Sequence, residues 1–371
     1  MRLFLGAMAV LLLAVSPISA FSENEPRLIR ATVVEILSEK EQYIPGTQIQ
    51  NKTQSIRAKA DSGEFIVIEN DRALLKVGDA FFVNALDVES GETLYTVQEP
   101  DRRGALMIVA GLFALVSIIV GRMVGLRALV ALGVSFAVII FWLLPALALG
   151  TEPLAAAVGF SALILGLAMA ITHGINRTTI AAFLGSMVTI IIAIFLGEFF
   201  VSFAQLTGFA DDTTTILNLT TGGTLNMHGL LLSAMIIGIL GIVDDLAVTQ
   251  VASVAELHRA NSALSRKELY KRAMRIGREH FGAVVNTLFL AYAGAALPLL
   301  LLFALSPSSP WMLVNSEIIA IEIVRASVGG VALALVLPIA TFLGVVSLSW
   351  PGKKEDHDDG ERGSHIHGHF H

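Results

Sequence analysis

The chain has 371 residues, 54% of them hydrophobic and only 15% charged, with a formal net charge of −6 and a mean hydropathy of +0.72. That balance excludes an ordinary soluble domain and a disordered chain, and it points to a membrane protein. With no cysteine, disulfides, thiolate metal sites and thiol nucleophiles are excluded, while histidine and carboxylate chemistry stays open.

The opening MRLFLGAMAVLLLAVSPISA has a basic start at Arg2, an apolar run and small residues up to Ala20. This is the pattern of a signal peptide over 1–20, with an uncleaved anchor as the alternative. Either one delivers the next segment out of the cytoplasm. Over 26–103 the composition becomes that of a soluble domain, with the runs RATVVEIL, SIRAKA, EFIVIEN and DAFFVNALDV. Turn signals at Pro45-Gly46, Ser62-Gly63, Gly78-Asp79 and Ser90-Gly91 divide them. A small extracytoplasmic β barrel or sandwich is predicted, closed to protect its edges. It shows no catalytic constellation.

Residues 104–349 carry repeated apolar runs of roughly 20 residues, enough to cross about 30 Å of hydrocarbon. Spans are predicted near 105–124, 126–149, 153–172, 178–200, 229–250, 281–305 and 326–348. The expected fold is therefore an α-helical polytopic membrane bundle of about seven transmembrane helices with a small N-terminal β domain. Between the fifth and sixth spans, HRANSALSRKELYKRAMRIGREH reads as a loop rich in Arg and Lys. The positive-inside rule makes it cytoplasmic, together with Arg122, Arg127, Arg177 and the C-terminal tail. Asp211, Asp212 and the β domain then lie outside a cell (inner) membrane, although Arg102 and Arg103 run against the rule.

The fifth span runs into GILGIVDDLAVTQVASVAEL, residues 238–257. At 100° per residue, Ala234, Gly238, Gly241, Asp245, Thr249, Ala252 and Glu256 form one column of small and polar side chains. Such a column is expected to face protein or an internal cavity. Asp245 and Glu256, roughly 16 Å apart along the axis, would be successive stations of a relay. Asp244 is turned to a different face. The alternative for Asp245 is a carboxylate at the cytoplasmic boundary, paired with a nearby Arg.

In FGAVVNTLFLAYAGAALPLLLLF, Asn286 shares a line with Gly282 and Ala293, and Gly294 to Ala296 would allow close packing. Asn286 is either polar glue between helices or a partner of the carboxylates. In EIIAIEIVRASVGGVALALVLPIA, Glu322 and Arg325 are spaced to pair along a helix. They either face inward in the outer leaflet or belong to an interfacial lead-in from Glu317, and Pro338 predicts a kink. The tail 350–371 ends in SHIHGHFH, whose His365, His367, His369 and His371 form a weak metal-binding tract with no fixed geometry.

The acidic helix, the basic connector, IGREHFGAVVNTLFLAYAGAALPLLLLF and EIVRASVGGVALALVLPIATFLGVV together resemble the YibE/F-like family of bacterial integral membrane proteins. The likeness covers roughly residues 31–346. The family pattern places its Asp on Asp245, its Glu on Glu256, its Asn on Asn286, and its last Glu and Arg on Glu322 and Arg325. Asp244 departs from it. The resemblance implies a bacterial multi-pass protein and names no substrate or cofactor.

Two functions follow as expectations. One is an ion- or proton-coupled transporter or exporter working through Asp245, Glu256, Thr249, Asn286, Glu322 and Arg325. The other is a non-transporting scaffold whose external domain binds a partner. The lipid bilayer is the expected surrounding, with a homo-oligomer or a membrane partner protein possible and no nucleic acid. No glycine-rich phosphate loop or hydrolase motif marks an enzyme. An intramembrane aspartyl protease is set aside because the adjacent aspartates point to different faces of one helix.

Overall fold

The computed structural model describes residues 27–43, 50–72, 74–87, 93–307 and 309–348. The predicted signal peptide, two of the turn signals (Pro45-Gly46 and Ser90-Gly91) and the His-rich tail with His365, His367, His369 and His371 lie outside the described residues. The chain divides into two units, Met1–Val120 and Gly121–His371.

The first unit holds an antiparallel sheet of β1 (Arg27–Tyr43), β2 (Gln50–Ala60), β3 (Phe65–Asn70), β4 (Ala80–Asp87) and β5 (Thr93–Pro100), in the order β3-β2-β1-β4-β5. Register shifts between Val33 and Glu35 and between Ile36 and Ser38 bend the long β1, and bulges of this kind curl a sheet. The result is a half-barrel whose edge strands β3 and β5 approach one another. Strict alternation along β3 sends Ile66 and Ile68 inward, where they pack with Val33, Ile56, Phe81 and Val83.

Asp101 closes this unit chemically. Its carboxylate accepts from Arg30 Nε and Arg103 Nη2, both at 2.8 Å. Arg103 first and Arg30 second hold the Asp101 carboxyl well below the usual carboxylate range. Arg102 donates to Glu99 at 2.7 Å. The two arginines that oppose the positive-inside rule are thus committed to local carboxylates.

The helices are α1 (Arg103–Val138), α2 (Leu144–Ala148), α3 (Pro153–His173), α4 (Arg177–Phe203), α5 (Asp212–Thr220), α6 (Met227–Ala260), α7 (Arg266–Ala295), α8 (Leu297–Ala304), α9 (Pro310–Val314) and α10 (Glu317–Ser347). Many begin where sequence chemistry dictates. Glu152, Asn176, Asp211, Asn226 and Ser265 each accept a backbone N–H from the first turn that follows. A π-helical turn, Ile139–Leu143, joins α1 to α2. Pro145 in α2 cannot donate and crowds the carbonyl four residues back, which the wider turn accommodates.

Among the described residues five helices are long and apolar enough to span, or six when α7 and α8 count as one bent span. The expected seven differ at the start, where 105–124 and 126–149 fall in one helical stretch, Arg103–Ala148. That stretch leaves helical geometry at Arg122, with φ 49° and ψ −129°. On either side, 103–121 and 123–148 are roughly 28 and 39 Å long at 1.5 Å per residue, so each approaches or exceeds the thickness of a bilayer core.

The basic segment between the fifth and sixth predicted spans is a helix and not a loop. Leu269, Ala273 and Gly277 recur every fourth residue and are buried, while Arg266, Lys267, Lys271, Arg272, Arg275 and Arg278 are exposed. This is helical amphipathicity, masked in the sequence by the density of charge. The predicted span 281–305 is bent by 65° between α7 and α8. Pro298, just inside α8, lacks an N–H and clashes with the carbonyl of Gly294, so α7 cannot continue. By contrast α10 runs through Pro338 to Ser347.

The bundle core joins α3, α4, α6 and α10 with the last part of α1. Small residues set the closest approaches: a Cβ on Gly185 of α4 would lie 3.2 Å from the Ala340 backbone of α10. Gln250 of α6 donates to the Ala273 carbonyl of α7 at 2.9 Å and to Thr341 Oγ1 of α10 at 2.7 Å. Both side chains are buried. Both donors of this amide nitrogen are used, and they pin three helices at one level, an economical way to bury polar groups.

Candidate functional site

A cavity of about 540 Å³ is walled by α6, α7, α8, α10 and the segment before α5. Met227, Leu230, Leu231, Leu299, Ile318 and Ile321 make its sides apolar. Its polar groups are few: Glu322, Arg325, Tyr292, Asp211 and Thr214. An apolar pocket carrying a small set of convergent polar groups is the usual form of a small-molecule site.

Each polar group is positioned by local sequence. Glu322 and Arg325 are three apart on α10, hence on one face, and Arg325 Nη1 donates to Glu322 Oε1 at 2.8 Å. The shared lining puts Arg325 beside Leu231 and Ala234, one to two turns inside the apolar stretch of α6. Both side chains are partly buried and line the cavity, in the second and third turns of a helix that begins at Glu317. Arg325 Nε is buried and has no hydrogen-bond partner among the described groups. Tyr292 comes from the last turns of α7, and Ala295 and Ala296 bring the break between α7 and α8 to the wall.

At the start of α10, Glu317 anchors the segment that lines the cavity at Gly208. Its carboxylate accepts from the backbone N–H groups of Thr207 at 2.6 Å and Gly208 at 2.8 Å. Gly208 has φ +87°, and a Cβ there would meet the Met227 carbonyl oxygen at 2.5 Å. Glycine is therefore required on both conformational and steric grounds. Asp211 is spent as the N-cap of α5, accepting from Thr214 N at 2.8 Å.

The acidic column reaches this cavity only at its start, through Ala234 in the lining and Gly238 against the Tyr292 hydroxyl. Ala234, Gly238, Gly241, Asp245, Thr249, Ala252 and Glu256 are all exposed, whereas Ile236, Ile239, Val243, Ala247, Gln250 and Val254 on the opposite side of α6 are buried. The column faces inward only at its start, at Ala234 and Gly238; from Gly241 to Glu256 it lies away from the buried face of α6. The large aliphatic side chains took the core face, and their burial outweighs the close approach that small residues permit. Asp245 and Glu256 are therefore not stations on an internal path. Glu256 pairs with Arg259 in a solvated i, i+3 bridge, and Thr249 accompanies them outward. Asn286 is likewise exposed, with Gly282 and Ala293, opposite the buried face of α7. Of the adjacent aspartates it is Asp244 that is partly withdrawn, with its Oδ1 buried and unpartnered.

Of the predicted site residues the structure thus brings together only Glu322 and Arg325. Residues not anticipated are Tyr292, the break before Pro298, Gly208, and the Gln250–Thr341 tie. Pro298 after a small-residue run was the available signal for the break. Among the described residues no group of three or more His, Asp or Glu side chains is arranged to hold a metal ion.

A model of the family described as YibE/F-like protein matches residues 109–350, which includes every residue of this cavity. The chain matches no curated protein sequence and no solved structure.

Proposed function

The chain belongs to the YibE/F-like family, and from that premise we propose that this multi-pass membrane protein is a transporter whose solute binds in the cavity at Glu322 and Arg325. The observation that carries the proposal is the coincidence of a broken helix, an ion pair and a cavity at one place. The 65° bend between α7 and α8 brings its residues to the wall that Glu322 and Arg325 also line. Discontinuous helices beside paired charges are a recurring arrangement of transporter binding sites, because a break supplies backbone polar groups where a solute sits.

Charges at such depth are costly unless paired, so a pair kept there is a functional candidate. In this proposal Glu322 carries the coupling proton in place of Asp245. Binding of solute or proton changes the balance of the pair, and the bundle rocks to expose the cavity to the other side. The orientation follows the basic face of α7: that end is cytoplasmic, and the opposite end of the bundle, where the cavity lies, is extracytoplasmic.

A second proposal, the non-transporting scaffold, draws support from the exposed Gly241, Asp245 and Thr249 of α6 and from the exposed Asn286 of α7. Small and polar residues on an outer helix face suit packing against a second copy or another membrane protein.

The absence of native cysteine allows a test that needs no substrate. Ala295→Cys is reconstituted in vesicles, and a membrane-impermeant maleimide is supplied from either side. Transport predicts labelling from both sides, and labelling from a single side removes that proposal in favour of the scaffold.

A further inference from the structure

The polar groups around the cavity are unequal in what they lack. Glu322 accepts from Arg325 Nη1, and Asp211 is occupied by the cap of α5. The unmet group is a donor: Arg325 Nε, buried and without a partner. Tyr292 adds a hydroxyl on the same wall, close enough to α6 that a Cβ on Gly238 would lie 3.2 Å from its oxygen. A buried guanidinium N–H left unpaired is unfavourable, and an acceptor with negative charge satisfies it best. The remaining walls are Leu, Ile, Met and Ala side chains, which gain from covering an apolar body.

Resting on the assignment of this cavity as the solute site, we propose that it takes an amphiphilic anion: a carboxylate or phosphate head held by Arg325 and Tyr292, with an apolar body lying against Leu231, Leu299 and Ile321. A cationic molecule of the same length would meet the Arg325 guanidinium with like charge, and a purely apolar one would leave its donors at the wall without an acceptor. The head group sits beside Glu322, so the guanidinium is shared between two acceptors. Arginine can do this because its five donors are arranged in a fixed fork.

The test uses Ala295→Cys protein in phosphatidylcholine vesicles and measures the rate of maleimide labelling with octanoate, octanol or octylammonium at equal concentration. Octanoate is expected to slow labelling, and the two controls are not. In Tyr292→Phe, and in the double exchange Glu322→Gln with Arg325→Gln, the octanoate concentration for half-protection should rise about tenfold or more, the weight of one charge-assisted hydrogen bond. The double exchange removes both charges together, so folding is kept. A parallel arm replaces octanoate by phosphatidate in the bilayer. Protection by phosphatidate alone, lost in the double exchange, supports the proposal and identifies a lipid as the source. Equal protection by octanol or octylammonium, or undiminished octanoate protection in both variants, overturns it. One-sided labelling without any probe would defeat transport and leave this binding result standing, so the two failures are distinguishable.

Discussion

Replacing Arg325 by Gln breaks the ion pair from one side only. The Nη1–Oε1 distance is 2.8 Å and the two side chains are 23% and 29% exposed. Removing one partner of a buried pair costs about 3–5 kcal/mol, while an exposed pair contributes about 0–1 kcal/mol. A pair about three-quarters withdrawn falls nearer the buried limit, so Arg325→Gln should cost about 2–3 kcal/mol, with Glu322→Gln similar. The double exchange removes both charges and should return to within about 1 kcal/mol of the parent. The cycle therefore closes with a coupling of roughly 3 kcal/mol or more, non-additive as expected for residues in contact. Equilibrium unfolding in mixed micelles with increasing dodecyl sulfate, run on all four proteins, measures it. Single exchanges within about 0.5 kcal/mol of the parent and a cycle closing to zero would refute the reasoning, because they describe a solvated surface pair.

Asp245→Asn should change stability by less than about 0.5 kcal/mol in the same assay, because its side chain faces away from the core. Asp244→Asn relieves a carboxylate whose buried Oδ1 has no partner and should be neutral or stabilising by about 1 kcal/mol. Gly208→Ala forces a Cβ onto the Met227 carbonyl at φ +87° and should cost at least about 1–2 kcal/mol, visible in the same unfolding curves. Asp101 is held ionised by Arg103 and Arg30, its carboxyl lowered below the ordinary range. Its contribution is present above the unfolded pKa of about 4 and fades as pH falls from there toward the lower folded value. Proteolytic resistance of the β domain should therefore drop on acidification in the parent, and Asp101→Asn should show a weaker pH dependence from a lower starting point.

Much of the architecture was readable because it rests on local rules. Apolar run length announced the spanning helices, whereas the caps at Asn176, Asp211, Asn226 and Ser265 that start α4, α5, α6 and α7 went unread. Alternation announced the strands, visible in the inward Ile66 and Ile68 of β3. Which face of a membrane helix turns inward was not readable. In water an apolar stripe marks the core, but α6 is apolar nearly all round, and a column of glycine, alanine and aspartate has no privileged claim on the interior. Bulky Ile239, Val243 and Leu246 filled the core instead, and Asp245 went outward. Glu322 and Arg325 were legible as a pair from their spacing alone. Their cavity was not, since it depends on the bend after Ala295 and on Glu317 capturing the backbone of Thr207 and Gly208, 109 or 110 residues away in sequence.

The central claim is that the cavity beside Glu322 and Arg325 opens and closes. Thr214 and Leu299 line it from different elements, so spin labels on Thr214→Cys and Leu299→Cys report its width by pulsed dipolar spectroscopy in lipid bilayers. The account predicts two populations of separation differing by roughly 5 Å or more, as for rocking or hinge motions of helix bundles, with the ratio shifted by Glu322→Gln. A single narrow population, unchanged in Glu322→Gln, would contradict it.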